Sequence, residues 1–143
     1  MSMKINYKEL SIYIFLPLIL GCVVGLITMK SSADYDGIVP VWVFPVVWSI
    51  LYILMGISSY LVRNNFTLIK IYIINLIVNF LWPIIFFSFK LKVLGFFWIL
   101  LLVLIVGYMI YMFYEENKIS AYLLVPYLLW IIFASILNLM EIL

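Results

Sequence analysis

Histidine is absent from this chain. That removes imidazole as a metal ligand, as an axial haem ligand and as a general base near neutral pH. Cysteine occurs once, as Cys22, so the chain forms no internal disulfide. Charge is scarce too. Asp, Glu, Lys and Arg make up 10% of the 143 residues, where a soluble domain carries about 25%. A net charge of +2 leaves no basic patch for nucleic acid. The middles of the long apolar runs hold no ionisable side chain, which argues against an ion- or proton-driven carrier. No internal repeat of the alternating-access kind is present. Acid–base and nucleophilic catalysis have no candidates, because no carboxylate lies in the apolar runs and Cys22 sits mid-helix, where a thiolate is disfavoured.

What the chain has in abundance is apolar side chain, 69% of its residues. So little polar surface cannot cover such a chain in water. Charge-free runs cover 10–29, 37–62, 71–89, 93–114 and 119–140. Each reaches the roughly 20 residues that cross about 30 Å of hydrocarbon as a helix. Helices satisfy their own backbone within the segment, and the alternation of an outer-membrane barrel strand is not seen. The reading is an all-α integral membrane protein, a single domain over 1–143. Its five transmembrane helices are expected at about 10–29, 40–62, 70–89, 93–114 and 119–140. Lys4 and Lys8 before the first run and "SSA" after Lys30 have the look of a secretory signal. The run is longer than the usual signal core of about 7–15 residues, so it is expected to stay as a helix. Lys4, Lys8, Arg63, Lys70 and Lys118 fall on the N-terminal side and Lys30, Lys90 and Lys92 on the other. The balance of basic residues puts the N-terminus in the cytoplasm.

Three of the helices carry a patterned face. On the fifth, Tyr127, Trp130, Ala134 and Asn138 fall within about 80° of one another. On the second, Trp48, Tyr52, Met55 and Ser59 share about 60°, and on the third Asn75, Asn79, Trp82 and Phe86 do the same. Amides are costly in hydrocarbon, so Asn75 and Asn79 are expected to face inward. Pro83 leaves the Asn79 carbonyl without its helical donor, and Pro45 is placed to kink the second helix. "GCVVG" (Gly21 to Gly25) permits close helix approach within the bundle. Tyr108, Tyr111 and Tyr114 read as interfacial aromatics, and "EENK" as a loop. Brought together, the three faces would line one cavity with aromatic planes and a few amides. Such a cavity suits a flat, largely apolar ligand with polar edges.

Four motifs carry a family likeness: "LGCVVG", "PVWVFPVVWSILYILMGISSYLV", "NLIVNFLWPIIFF" and "PYLLWIIFASILN". In this order, on five apolar runs, the chain resembles the tryptophan-rich sensory protein family. Its mitochondrial members are called the translocator protein, or peripheral benzodiazepine receptor. The resemblance implies a five-helix bundle, a homodimer, and an intrabundle pocket for porphyrins such as protoporphyrin IX or haem. In animal members it also implies cholesterol and synthetic drugs. By motif position the ligand-binding residues would be Trp48, Tyr52, Asn79, Trp82, Phe86, Tyr127, Trp130, Ala134 and Asn138. No metal and no required cofactor are expected. The partners expected are a tetrapyrrole or other hydrophobic small molecule and the bilayer of a bacterial cell membrane. Two further activities follow from the same resemblance, passive transport of tetrapyrroles or lipids and light-dependent porphyrin breakdown at Trp48 and Trp130. The chain departs from the family in a first loop shortened to "SSADYDGIVP", with Val39 in place of a proline. It also has Asn75 where glutamine is usual and Trp98 near a usual acidic position. Its "LMEIL" end lacks the Tyr and basic residue of the animal cholesterol motif.

Overall fold

The structure, a computed structural model, describes residues 5–32 and 39–143, and of residues 29–32 the backbone alone. The shortened first loop therefore lies outside the described residues for most of its length. Five α-helices and no β-strand occur among the described residues: α1 Tyr7–Ser32, α2 Val43–Leu61, α3 Phe66–Pro83, α4 Lys92–Glu116 and α5 Lys118–Ile142. All five are long and apolar enough to cross a membrane. The 19 residues of α2, the shortest single span, still reach about 28 Å.

Local chemistry explains where the helices stop and start. The Glu9 N–H donates to Asn6 Oδ1 at 3.2 Å, which caps α1 one turn before the apolar run begins. A turn precedes α2, with the Val43 N–H on the Pro40 carbonyl at 3.0 Å, so the helix starts three residues after Pro40. Pro45 then falls in the first turn, where backbone N–H groups have no helical acceptor, and forces no kink. Asn65 caps α3 through the Leu68 N–H at 3.3 Å. Beyond Pro83 the missing N–H breaks the ladder, and a π-helical turn, Ile84–Ser88, takes up the slack. Asn117 alone joins α4 to α5. Its N–H closes α4 on the Phe113 carbonyl at 2.7 Å, and its side chain opens α5 by accepting from the Ser120 N–H at 3.0 Å. The "EENK" segment is thus helical except at Asn117, because one extended Asn serves both helix ends.

The helices close into a ring in the order α1, α2, α5, α4, α3 and back to α1 through the π turn. α1 is the outermost member. Only 6% of its span is buried, against 44% of α2, so the core belongs to α2 to α5. Met55, Ile99, Val106, Met109, Tyr127 and Ile131 fill its centre. At the end carrying the N-terminus the ring is clamped. The Ser58 hydroxyl donates to the Ser120 carbonyl and the Ser120 hydroxyl to the Ser58 carbonyl, each at 2.8 Å and fully buried. Arg63 pairs with Glu9 at 3.0 Å and lies over the Tyr60 ring, and the Tyr60 hydroxyl accepts from the Asn6 N–H at 2.7 Å. At the opposite end Lys92 pairs with Glu141 at 3.3 Å.

Gly56 sets how closely α1 can approach α2. A Cβ there would run into the Tyr13 carbonyl oxygen and the Ile14 Cα, both backbone atoms of α1. Of the two glycines in "GCVVG", Gly21 lies against the Tyr52 ring, while Gly25 has nothing within 4 Å. Gly56→Ala is expected to lower stability by about 1–3 kcal/mol, since rigid backbone must move to admit the methyl group. Gly25→Ala should leave stability unchanged or raise it by up to about 1 kcal/mol. Thermal unfolding of the two variants in one detergent checks both, and equal stability would contradict the packing described.

Candidate functional site

The third helix carries the polar groups of the interior. Asn75, Asn79 and Trp82 repeat at three- and four-residue spacing, and Phe86 follows in the π turn; all four are buried. Two asparagines inside a membrane bundle need partners, and tyrosines on α2 and α5 supply them. The Tyr52 hydroxyl donates to Asn79 Oδ1 at 2.8 Å. Asn79 Nδ2 donates to the Tyr127 hydroxyl at 2.7 Å, and that hydroxyl donates to Asn75 Oδ1 at 2.7 Å. Asn75 Nδ2 ends the chain 3.9 Å from the Met55 sulfur, a weak acceptor. Every donor in this relay points the same way along it, and it ties together α2, α3 and α5.

Trp48 rests on the relay. Its ring stacks on Tyr52 at 5.6 Å between centroids, with 27° between planes, and meets Tyr127 edge-on at 6.0 Å. Trp130 stands perpendicular to Trp48 at 6.5 Å. From Trp130 the aromatic contacts run to Phe44 at 6.0 Å, from Phe44 to Phe87 at 5.9 Å, and from Phe87 to Trp82 at 6.0 Å. Trp82 stacks on Phe86 at 5.0 Å and 16°. Its indole N–H donates to Asn138 Oδ1 at 3.2 Å, and Asn138 Nδ2 donates to the Lys92 carbonyl at 2.8 Å. Gly95 makes room here, because a Cβ on it would stand 3.1 Å from Asn138 Oδ1. Ala134, buried one turn before Asn138, separates Trp130 from it along α5.

The nine residues expected from the sequence therefore fall into two groups on one aromatic arc. Trp48, Tyr52, Asn79, Tyr127 and Trp130 form the first; Trp82, Phe86 and Asn138 form the second, with Ala134 between. Two participants escaped the sequence reading. Phe44, which joins the groups, lies four residues before Trp48, and that helical spacing was the signal available for it. Trp98 of α4 donates its indole N–H to the Val78 carbonyl at 2.8 Å, next to the carbonyl that Pro83 leaves without a helical donor. Nothing in the α4 pattern singles Trp98 out.

The first group holds amides, hydroxyls and indoles, and no carboxylate, amine or thiol. No group of His, Cys, Asp and Glu residues able to hold a metal occurs among the described residues. These groups offer neutral hydrogen bonds and flat apolar surface. The Trp130 Nε1–H of this group is buried and unpartnered. Trp130 also faces a second environment. An open groove of about 440 Å³ lies between α2 and α5, lined by Val47, Ile50 and Leu51 on one side and Pro126, Leu129, Trp130 and Phe133 on the other.

Comparison with known proteins matches the profile of the TspO/MBR family to residues 13–142. The tryptophan-rich protein TspO of Archaeoglobus fulgidus is 38% identical over 104 residues, covering 69% of this chain and 67% of the relative. The tryptophan-rich protein TspO of Chlorobaculum tepidum is 35% identical over 106 residues, with the same two shares. The tryptophan-rich sensory protein of Cereibacter sphaeroides is 30% identical over 102 residues, covering 69% of this chain and 65% of the relative.

Loss of the central amide of the relay has a calculable consequence. Asn79→Leu strands both the Tyr52 hydroxyl and its contact to Tyr127, and is expected to cost about 1–3 kcal/mol. A double-mutant cycle of Asn75→Leu with Tyr127→Phe should give a coupling of about 0.6 kcal/mol, and no more than about 1.7, as for hydrogen bonds between membrane helices. Equilibrium unfolding in mixed micelles measures both. Zero coupling between Asn75 and Tyr127 would mean that their hydrogen bond does not hold the helices.

Proposed function

Because the chain belongs to the TspO/MBR family, we propose that it is a membrane sensory receptor for porphyrins, protoporphyrin IX or haem, or similar flat apolar molecules. Trp48, Tyr52, Asn79, Trp82, Phe86, Tyr127, Trp130, Ala134 and Asn138 would contact the ligand. The observation that carries this reading is the unbroken aromatic arc from Tyr52 through Trp48, Trp130, Phe44 and Phe87 to Trp82. Flat aromatic surfaces match a macrocycle, and the few amides and indole N–H groups match its polar edge. The buried Trp130 N–H supports the reading further, since a ligand acceptor would remove the cost of leaving it unpaired.

The same reading makes the protein a homodimer in a bacterial cell membrane with its N-terminus in the cytoplasm. The contacts of Asn6 and Glu9 with Tyr60 and Arg63 support the last point, because they gather the N-terminus and Arg63 at one end of the bundle. Light-dependent breakdown of a bound porphyrin is a second reading. It is favoured by the 6.5 Å approach of Trp48 to Trp130, which sets two oxidisable indoles side by side. Passive passage of the ligand requires no group beyond those already named.

Titration of the detergent-solubilised protein with protoporphyrin IX, followed by quenching of tryptophan fluorescence, tests the receptor reading. Wild type should bind saturably. Trp130→Phe and Asn138→Ala should each weaken binding about tenfold, equivalent to about 1.4 kcal/mol. Unfolding curves for the same two variants separate lost affinity from lost fold. Equal affinity in wild type and both well-folded variants would return these residues to a packing role.

A further inference from the structure

The seams of the ring differ in how they are closed. Between α1 and α2, Gly56 lets the Tyr13 backbone come into contact, and Gly21 receives the Tyr52 ring. Between α3 and α4, the Trp98 indole is hydrogen-bonded to the Val78 carbonyl. Between α4 and α5, Asn138 reaches the Lys92 carbonyl at one end and Asn117 joins the two at the other. The α2–α5 seam is closed for only part of its length. Ser58 and Ser120 lock it with their reciprocal bonds. The groove begins about 10 Å further along α2 and about 9 Å further along α5, where the helices stand apart. Pro126 lines the groove at its end nearer the lock, and its missing N–H removes the helical bond to the Tyr122 carbonyl at that level.

We propose that this groove is the port through which a flat, apolar ligand dissolved in the bilayer moves sideways to the aromatic arc, with Trp130 as its movable wall. The proposal rests on the receptor reading above and adds the route. Both helices span the membrane at this height, so the groove opens to hydrocarbon and not to water. Its lining is apolar throughout, and its outer edges, Ile50 and Leu129, are 54% and 62% exposed. A ligand able to fill an aromatic site partitions into the bilayer at about 25 cal/mol for each Å² of apolar surface it hides. Travel through an aqueous mouth would forfeit that gain. Trp130 belongs to both environments: one side of it lines the groove, and its ring meets Trp48 and Phe44 of the arc. Its N–H is bonded to nothing, so no hydrogen bond holds the ring in place against rotation. An acceptor on the ligand's edge would find that donor on arrival.

A port alters rates and leaves the equilibrium alone, because it is crossed equally on the way in and out. The test uses wild type, Ile50→Phe, Leu129→Phe and, as a lipid-facing control on α4, Leu104→Phe, all in phosphatidylcholine vesicles. Vesicles carrying protoporphyrin IX are mixed in by stopped flow, and tryptophan quenching is followed. Ile50→Phe and Leu129→Phe, which crowd the groove from either edge, should slow both association and dissociation about tenfold at unchanged Kd. Leu104→Phe should match wild type in all three. Groove variants with wild-type rates would overturn the port, leaving the groove as a seat for lipid chains. A changed Kd in the groove variants would overturn it as well, by making the groove the binding site itself. If wild type shows no saturable quenching, the receptor reading fails and the port falls with it, an outcome distinct from the other two.

Discussion

An amide or hydroxyl inside a bilayer has no water to turn to, and the interior of this bundle is arranged around that fact. An unpaired polar group in hydrocarbon costs several kcal/mol, whereas a hydrogen bond between membrane helices returns about 0.6 kcal/mol on average. The Tyr52–Asn79–Tyr127–Asn75 relay is therefore weak glue and strong specification. Any slip of α3 against α2 or α5 would orphan at least one group. The relay contributes less to how stable the fold is than to which register it adopts. Trp48 inherits that register, because two of the rings it touches, Tyr52 and Tyr127, have their hydroxyls held in the relay.

This explains why the inward faces could be read from the sequence while their connections could not. Tyr52, Asn79 and Tyr127 each sit at helical spacing from another polar or aromatic residue, and in a chain with so few polar groups such spacing has few other meanings. Charge-free runs located five helices for the same reason, since hydrocarbon tolerates little else. Partnership across the bundle is a different matter. That Asn79 lies between two tyrosines, or that Trp98 reaches Val78, depends on the ring order of the helices, and periodicity within one helix carries no information about its neighbours. Helix ends were legible only as far as charge marked them. Asn6, Asn65 and Asn117 extend or begin helices beyond the apolar runs because a capping side chain needs no apolar neighbour. Pro83 was visible as a break, but the π turn that absorbs it reflects packing against α1 and α4.

Histidine is absent from the chain, and no carboxylate among the described residues is buried. The arc and its relay hold neutral donors and acceptors. A chromophore that absorbs light would bring its own reactivity, with Trp48 and Trp130 as the oxidisable neighbours. A ligand without such reactivity would simply be held.

The two halves of the bundle are built for different tasks. Toward the end that carries the N-terminus, the contacts are short, buried or charged: Gly56 on Tyr13, Ser58 with Ser120, Tyr60 with Asn6, Arg63 with Glu9. Toward the other end, the helices are loosened in turn. The π turn follows Pro83, and Pro126 removes a helical hydrogen bond within α5. The aromatic arc lies within the loosened half, where its rings meet by contact and only the relay and Asn138 bind them by hydrogen bonds. The Lys92–Glu141 pair and the bond from Asn138 to the Lys92 carbonyl still tie α4 to α5 at that end.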